Sequence, residues 1–416
     1  MRNNPDVDHG KPSGPKLPCP FRYITDSAGL AEAAAALDNA PWVAVDTEFV
    51  GERHYRARLE VVQLAVPGAI FIIDVQRCPD LAPLRPALED NSKLKILHAA
   101  GQDVALMDRQ TGGRMANVFD TQLAAAFLGY GLQVSLTNLT MSLLKIELDG
   151  KHTTSDWSER PLTPQQLEYA ACDVAWLGAI RDRLSAQLEA RGRAAWFVEE
   201  QEARLQESVD DEPTPDEELF RRVKNALSLK PRELAHLREL TAWRERTARS
   251  ANVPRRQVMT DEGLVELATH QPRTREALSK LRRVPTGPAM RYSDQVLPAI
   301  ERASQIPREQ WPAKIKPPSL PSLPTGVVEL AQAVLRNCSE GEDVASTLVA
   351  TTSELNQFIG CKIGGGDLDG HPLLKGWRRE LVGERLVRLL EGRLLIRVTK
   401  DGLEAVDWPD AEESAP

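Results

Sequence analysis

Four apolar residues, Trp42-Val-Ala-Val45, run straight into Asp46-Thr-Glu48-Phe49, and no other stretch constrains the chain as much. Such a run predicts a buried strand, on which residues two apart project to the same side, so Asp46 and Glu48 share a face. Two neighbouring carboxylates repel unless a cation lies between them. The residue between them is Thr47, and no Lys or Arg follows until Arg53. A divalent ion is the natural partner, and hard oxygen ligands suit Mg²⁺ or Mn²⁺ rather than zinc. Taken alone, the pattern reads as a solvated strand end with no chemistry.

The chain around this stretch has 416 residues, enough for two to four domains. Val- and Ile-rich runs predict strands at Trp42–Asp46, Leu59–Val66, Ala69–Val75, Leu94–His98 and Asn117–Phe119. Helices are expected from Phe21 to about Asn39, over Pro83–Glu89, from about Gly101, and on to about Lys145. Strands first, then strands alternating with helices, describe an α/β domain with a mixed sheet. After a loop at 151–162, Thr163, Pro164 and Gln166 mark a helix start as N-cap, first-turn proline and capping box. That helix carries Tyr169 and Asp173, four residues apart and so on one face. Beyond it lie an acidic linker, a helical segment from Glu217, a proline-dense linker, and a second helical region from Gly326 to about Arg393.

Four acidic positions can meet at one end of such a sheet: Asp46 and Glu48 on the first strand, Asp103 early in the helix after His98, and Asp173. Four carboxylates around one point suit two divalent ions, which clamp the attacking and leaving oxygens of a phosphoryl displacement. Tyr169 is the fifth member, placed to orient or help deprotonate the attacking water.

These residues carry a resemblance. Val45-Asp-Thr-Glu-Phe49, His98-Ala-Ala-Gly-Gln-Asp103 and Tyr169-Ala-Ala-Cys-Asp173 resemble the three exonuclease motifs of the DEDD superfamily, and the tyrosine four before the last aspartate places them with its DEDDy branch. Phe119–Gly129 and Ser155–Leu162 resemble the ribonuclease D family in particular, and residues 217–285 are similar to the HRDC helical module. The resemblance implies a ribonuclease H-like mixed-sheet exonuclease domain followed by two all-α HRDC-type modules. The expected organisation is a disordered tail (1–20), exonuclease domain (21–207), acidic linker (208–216), HRDC domain (217–300), Pro-rich linker (306–324), second HRDC-like domain (325–395) and C-terminal tail (396–416).

The resemblance further implies a metal-dependent 3′→5′ exoribonuclease acting on tRNA precursors and other structured RNAs with a free 3′ end, releasing nucleoside 5′-monophosphates. Asp46, Glu48 and Asp173 are expected to hold one divalent ion, Asp46 and Asp103 the other. Thr47, Phe49, His98, Gln102 and Asp156 are the expected nucleic-acid contacts. A DNA 3′→5′ exonuclease and a non-catalytic RNA-binding protein are the rival readings.

Several residues also have a plain structural alternative. Phe49 suits a core as well as base stacking, His98 suits an internally satisfied histidine, and Asp156 suits a solvated loop. Asp120, at a helix start, is expected to be an N-cap. Basic residues at 53–58, and Arg244, Arg246, Arg249, Arg255 and Arg256 in the helical segment, read either as phosphate contacts or as solvated faces.

The formal net charge of −8 argues mildly against nucleic acid, but 19 Lys and Arg stand against 13 Asp and Glu between 216 and 310. Cys19, Cys78, Cys172, Cys338 and Cys361 are scattered and odd in number, which implies neither a disulfide framework nor a zinc site and suggests a reducing compartment. No run approaches the roughly 20 apolar residues of a membrane span, and a cytoplasmic location is expected. The glycines at 364–366 lack a following Lys-Ser/Thr, so no nucleotide cofactor is expected.

Overall fold

The computed structural model describes residues 17–51, 53–148, 155–210, 215–314, 323–400 and 402–407. The expected N-terminal tail lies outside them up to residue 16, and so do parts of both expected linkers, at 211–214 and 315–322. The chain divides into two compact units, one of Met1–Glu48, Leu59–Ser208 and Leu320–Pro416, the other of Phe49–Arg58 and Val209–Ser319.

The first unit is built on a mixed six-stranded sheet in the order β1-β4-β3-β2-β5-β6. Its strands are β1 (Phe21–Ile24), β2 (Trp42–Val50), β3 (Arg58–Val66), β4 (Ala69–Asp74), β5 (Leu94–Leu97) and β6 (Val118–Asp120). Strands β3 and β4 form an antiparallel hairpin, whose turn puts Gly68 at φ +82°. Parallel pairs join β1 to β4, β2 to β5 and β5 to β6.

Two expectations change here. Phe21–Ile24 is an edge strand, not the first turn of a helix; that helix, α1, begins only at Ser27, capped by Asp26. Four residues are too few for a period to declare itself, and pairing with β4 decides the matter. Strand β2 also runs on to Val50, so Asp46 and Glu48 lie inside it rather than at its end.

Alternation along β2 sorts the two faces. Val43 and Val45 join Leu97, Val104 and Met107 in a core covered by α1 (Ser27–Asp38), α2 (Arg85–Glu89) and α3 (Gly101–Thr111). Ala44 points the other way, into a cluster with Val61, Ile72, Ile96, Ala170 and Val174. Further helices complete the domain: α4 (Thr121–Ala126), α5 (Leu136–Leu144), α6 (Pro164–Ala175), α7 (Leu177–Ala190) and α8 (Ala194–Asp210). Helix α6 starts with the expected capping box: Gln166 N–H donates to Thr163 Oγ1 at 3.2 Å, and Thr163 N–H donates to Gln166 Oε1 at 2.9 Å.

The C-terminal helices Thr325–Gly341, Thr352–Ile363 and 376–390 do not form a core of their own. Val334, Leu335, Phe358, Trp377 and Leu381 share one cluster with Phe119, Phe127, Ile180, Leu184 and Phe197 of the exonuclease domain. The Trp377 ring, 1% exposed, meets Phe127 edge-on at 4.9 Å. Glu200 accepts from Arg378 Nη1 at 2.6 Å and Nη2 at 3.0 Å. The expected C-terminal tail is also not wholly a tail. Leu394–Thr399 (β7) and Gly402–Asp407 (β8) pair antiparallel. Leu-Leu-Ile-Arg-Val-Thr is rich in β-branched residues, and Gly402 supplies a φ of +130° at the start of the return strand.

The second unit has a separate core. Helix α9 (Pro231–Ala251) contributes Leu234, Leu237, Leu240 and Trp243, which pack with Leu264, Leu267, Val296 and Ile300. Its last long helix, Ser293–Ser304, extends past the expected limit at 300.

Candidate active site

Strand pleating puts Asp46 and Glu48 on the Ala44 face, the same face that α6 covers with Ala170, Ala171 and Val174. One carboxylate oxygen from each of Asp46, Glu48 and Asp173 lies within 4.8 Å of the others. Thr47 points to the opposite face, where its hydroxyl donates to the Asp103 carboxylate of α3. The fourth carboxylate is therefore tied down from the other side of the strand, yet its charge still reaches Asp46 and Glu48. Tyr169 donates its hydroxyl to Asp173 one helical turn on, and its ring stands 6.0 Å from that of Trp157.

The electrostatics of this cluster are unfavourable without a counter-ion. Burial, followed by the charges of Asp173 and Asp103, pushes the Glu48 carboxyl up to about 9. Burial drives Asp46 well above the usual carboxylate range, helped by the charges of Asp173, Asp103 and Glu48. It also raises Asp173 to about 7 against the Tyr169 hydrogen bond, and Asp103 to about 6 against that of Thr47. Carboxylates raised this way release protons to a divalent cation, and oxygen-only donors fit Mg²⁺ or Mn²⁺.

The turn into α3 depends on a residue whose reach was only half visible in the sequence. Asp120 caps α4 as expected, accepting from Gln122 N–H at 2.8 Å and Leu123 N–H at 3.3 Å. The same carboxylate accepts from Ala99 N–H at 3.0 Å and Ala100 N–H at 2.9 Å. Ala99 sits at φ +62°, a left-handed conformation costly for a residue with a Cβ, and these bonds hold it there. One side chain thus fixes the approach of α3 and, with it, Asp103. Arg160 does comparable work on the other loop. It grips the buried Asp74 carboxylate through Nε at 2.7 Å and Nη2 at 2.9 Å, and donates through Nη1 to the carbonyl of Trp157.

The expected nucleic-acid contacts separate into two groups. Thr47 is buried and its hydroxyl is spent on Asp103, which removes its side chain from that role; strand alternation is the reason. His98 has Nδ1 2.9 Å from Thr121 Oγ1 and Nε2 3.0 Å from the Val134 carbonyl. A carbonyl only accepts, so Nε2 carries the proton and the ring is satisfied internally, the structural alternative. Asp156 accepts from Ser158 N–H at 3.0 Å, closing its own turn. Gln102 is exposed beside Asp103, and Phe49 is half-buried directly after Glu48. The supposed arginine patch of the second unit is partly internal: Arg244 is buried against Asp261 at 2.6 Å, and Arg249 and Arg255 pair with Glu245.

A mixed sheet that brings three carboxylates together at one strand, with a fourth tied beside them, has the donor set of a metal-dependent nuclease, and comparison supplies the class. A family model described as 3′-5′ exonuclease matches residues 21–189, and the HRDC domain model matches residues 233–300. The chain is 37% identical to ribonuclease D of Nitrobacter hamburgensis over 388 residues, 92% of this chain and 99% of that one. It is 38% identical to ribonuclease D of Gluconacetobacter diazotrophicus over 380 residues, 90% and 94% of the two chains. The crystal structure of Escherichia coli RNase D, an exoribonuclease involved in structured RNA processing, superposes with a TM-score of 0.79 at 28% identity, covering 90% of this chain and 99% of that one.

The chain belongs to the ribonuclease D family and is a 3′→5′ exoribonuclease. No helix among the described residues is long and apolar enough to cross a membrane.

Proposed function

We propose that the chain trims the 3′ ends of structured RNAs, tRNA precursors among them, with two divalent ions, and releases nucleoside 5′-monophosphates in the cytoplasm. The meeting of Asp46, Glu48 and Asp173 within 4.8 Å, with Asp103 tied to Thr47 beside them, carries this reading. Asp46, Glu48 and Asp173 hold one ion, and Asp46 and Asp103 the other. Bound there, divalent ions lower the pKa of water and neutralise charge developing on the scissile phosphate. Tyr169, hydrogen-bonded to Asp173, orients the attacking water from the helix side of the cluster. Phe49 stacks on the terminal base, a sequence-tolerant contact that suits an enzyme moving along one strand. Gln102 and Asp156 contact the terminal nucleotides, whereas Thr47 and His98 brace the site. The E. coli relative's involvement in structured RNA processing supports the substrate class. All five cysteines are free of disulfides, which suits a reducing cytoplasm.

The test is degradation of a 5′-labelled RNA hairpin with a 3′ tail, and of its DNA counterpart, with Mg²⁺, with Mn²⁺ and with EDTA. The expected result is a one-nucleotide ladder on RNA, weak on DNA, absent with EDTA and absent in Asp46→Asn. Equal cutting of DNA would replace the substrate class, and binding without a ladder would overturn the reading.

A further inference from the structure

The loop that leads into α6 touches the sheet and the helix of Tyr169 and Asp173 at once. Its anchor is the Asp74 carboxylate at the end of β4, which is fully buried and so depends on partners for its charge. Arg160 meets both of its oxygens with the forked geometry of a guanidinium, and Tyr23 of β1 donates its hydroxyl to Oδ2 at 2.6 Å. The same guanidinium reaches back along the loop. Nη1 donates to the Trp157 carbonyl at 2.7 Å, and Nη2 to the Glu60 carbonyl of β3 at 3.1 Å. Gln76 holds the next residue, its Nε2 donating to the Ser158 carbonyl at 2.9 Å and to the Glu60 carboxylate at 2.8 Å. Two successive loop carbonyls are thus tied to side chains rooted on the sheet.

What this clasp delivers is the Trp157 side chain. The indole is 3% exposed and shares a cluster with Ala170, Ala171 and Val174 of α6, with the Tyr169 ring 6.0 Å away and tilted by 39°. Its Nε1 is buried and has no acceptor among the described residues. A dry, unpaired donor costs stability that an apolar side chain would not lose, so the indole is placed for its ring and not for its N–H. A tyrosine hydroxyl lies far from its Cα, so small rotations of the side chain swing it widely. Tyr169 is held at its tip by Asp173, itself a proposed metal ligand, and along its ring by Trp157.

We propose that Trp157 is a positioning residue for Tyr169: the Asp74–Arg160 clasp sets the loop, the loop sets the indole, and the indole sets the direction of the Tyr169 hydroxyl. The inference rests on the role proposed above for Tyr169 in orienting the attacking water. Every member of this chain of contacts belongs to the unit that carries Asp46, Glu48, Asp103 and Asp173.

The experiment measures kcat and KM of the full chain on a short single-stranded RNA with Mg²⁺, in a double-mutant cycle between Trp157 and Tyr169. Trp157→Ala is expected to lower kcat by about ten- to a hundredfold with little change in KM, because a misaimed hydroxyl slows chemistry and leaves binding alone. Tyr169→Phe keeps the ring and deletes the hydroxyl, and in that background Trp157→Ala is expected to cost less than about threefold. Trp157→Phe, which retains a ring against Tyr169, is expected to recover most of the loss. Arg160→Lys keeps a charge beside Asp74 but cannot span both carboxylate oxygens and the Trp157 carbonyl, and is expected to lower kcat by about three- to tenfold. Should Trp157→Ala not fold by circular dichroism, Trp157→Leu takes its place in the cycle with the same expectation. Equal losses in the two Tyr169 backgrounds overturn the proposal, since the indole would then support the fold and not the hydroxyl. Unchanged kcat in the folded Trp157 variant or in Arg160→Lys also overturns it, as does a loss confined to KM. Wild-type turnover separates the two layers: an inactive wild type sinks the proposed function, and an active wild type with additive losses sinks only the role of Trp157.

Discussion

The two helical appendages are similar in size and are built on opposite plans. The segment from Pro231 to Ser304 closes around its own core, where Leu237, Trp243, Leu267 and Val296 meet residues of the same unit. The segment from Thr325 onward has no such closure. Its apolar face is completed by Phe119, Phe127, Ile180 and Phe197, residues of the exonuclease domain, and its Arg378 is bound to Glu200 of α8. One appendage is a module; the other is a missing wall of the catalytic domain. The lesson concerns what amphipathic periodicity encodes. It reports that a helix has an apolar face, and is silent on whether that face is met by neighbours in sequence or by a domain many residues away.

The largest expected effect breaks the symmetry between them outright. Ending the chain at Ser319 strips the C-terminal half from the shared cluster, leaving Phe127 and Phe197 exposed, and the remaining exonuclease domain is expected to aggregate or melt far below the intact chain. Replacing residues 217–310 with a flexible linker is expected to leave the thermal transition of the catalytic unit nearly in place. Single substitutions refine the contrast. Trp377→Ala is expected to cost about 3–5 kcal/mol in the transition that includes the exonuclease domain. Leu237→Ala is expected to cost about 2–5 kcal/mol in the other transition alone. Differential scanning calorimetry of the variants checks both, and a Trp377→Ala effect confined to a separate C-terminal transition would show that the shared core is not cooperative.

A second expectation separates the units by pH and metal. Glu48, Asp173 and Asp103 titrate at about 9, 7 and 6, above the ordinary carboxylate range. A folded-state pKa raised above the unfolded one contributes stability at low pH that is lost as pH climbs through the folded value. Without metal, the catalytic unit is therefore expected to melt lower at pH 8 than at pH 5.5. Mg²⁺ favours the ionised carboxylates, so its stabilising effect should be larger at pH 8. Asp74 and Glu200 have lowered values, and their contributions vary only in more acid solution. The second unit holds none of the four carboxylates, so its transition should ignore Mg²⁺ at either pH. Equal Mg²⁺ shifts at both pH values would mean that the cluster is already ionised in the metal-free chain.

The same contrast shows which features were legible beforehand. Asp46, Glu48, Tyr169 and Asp173 were readable because each pair is local: two residues apart on a strand, four apart on a capped helix. Asp103 could be nominated by motif, but the Thr47 bond that holds it depends on which strand face is which, and that is settled only by packing. Asp120 was legible as a cap and illegible as the clamp on Ala99, because the second role spans the turn between β5 and α3. Phe21–Ile24 became a strand through pairing with Ile70–Ile73, a partner nothing local announces. Tyr55 lies among the basic residues at 53–58, and its partner, Glu245, lies 190 residues away.

The smallest expected effect tests whether burial, rather than ion pairing itself, distinguishes the appendages. Arg378 and Glu200 pair at 2.6 Å with side chains 22% and 6% exposed, while Arg275 and Asp294 of the second unit pair at the same 2.6 Å with side chains 56% and 81% exposed. Distance alone would rank them equal. An exposed pair gains little over water and loses side-chain entropy, so Asp294→Ala is expected to change stability by less than about 1 kcal/mol. Removing one partner of a buried pair strands the other charge, so Arg378→Ala is expected to cost about 3–5 kcal/mol. Glu200 would then keep Arg204 as its remaining cation, at 2.9 Å with a side chain 47% exposed, which moderates the loss toward the lower end. Urea denaturation of the two variants, read against the intact chain, decides the point. Similar values for both would mean that the C-terminal wall is held by its apolar cluster alone and that its buried ion pair serves orientation more than stability.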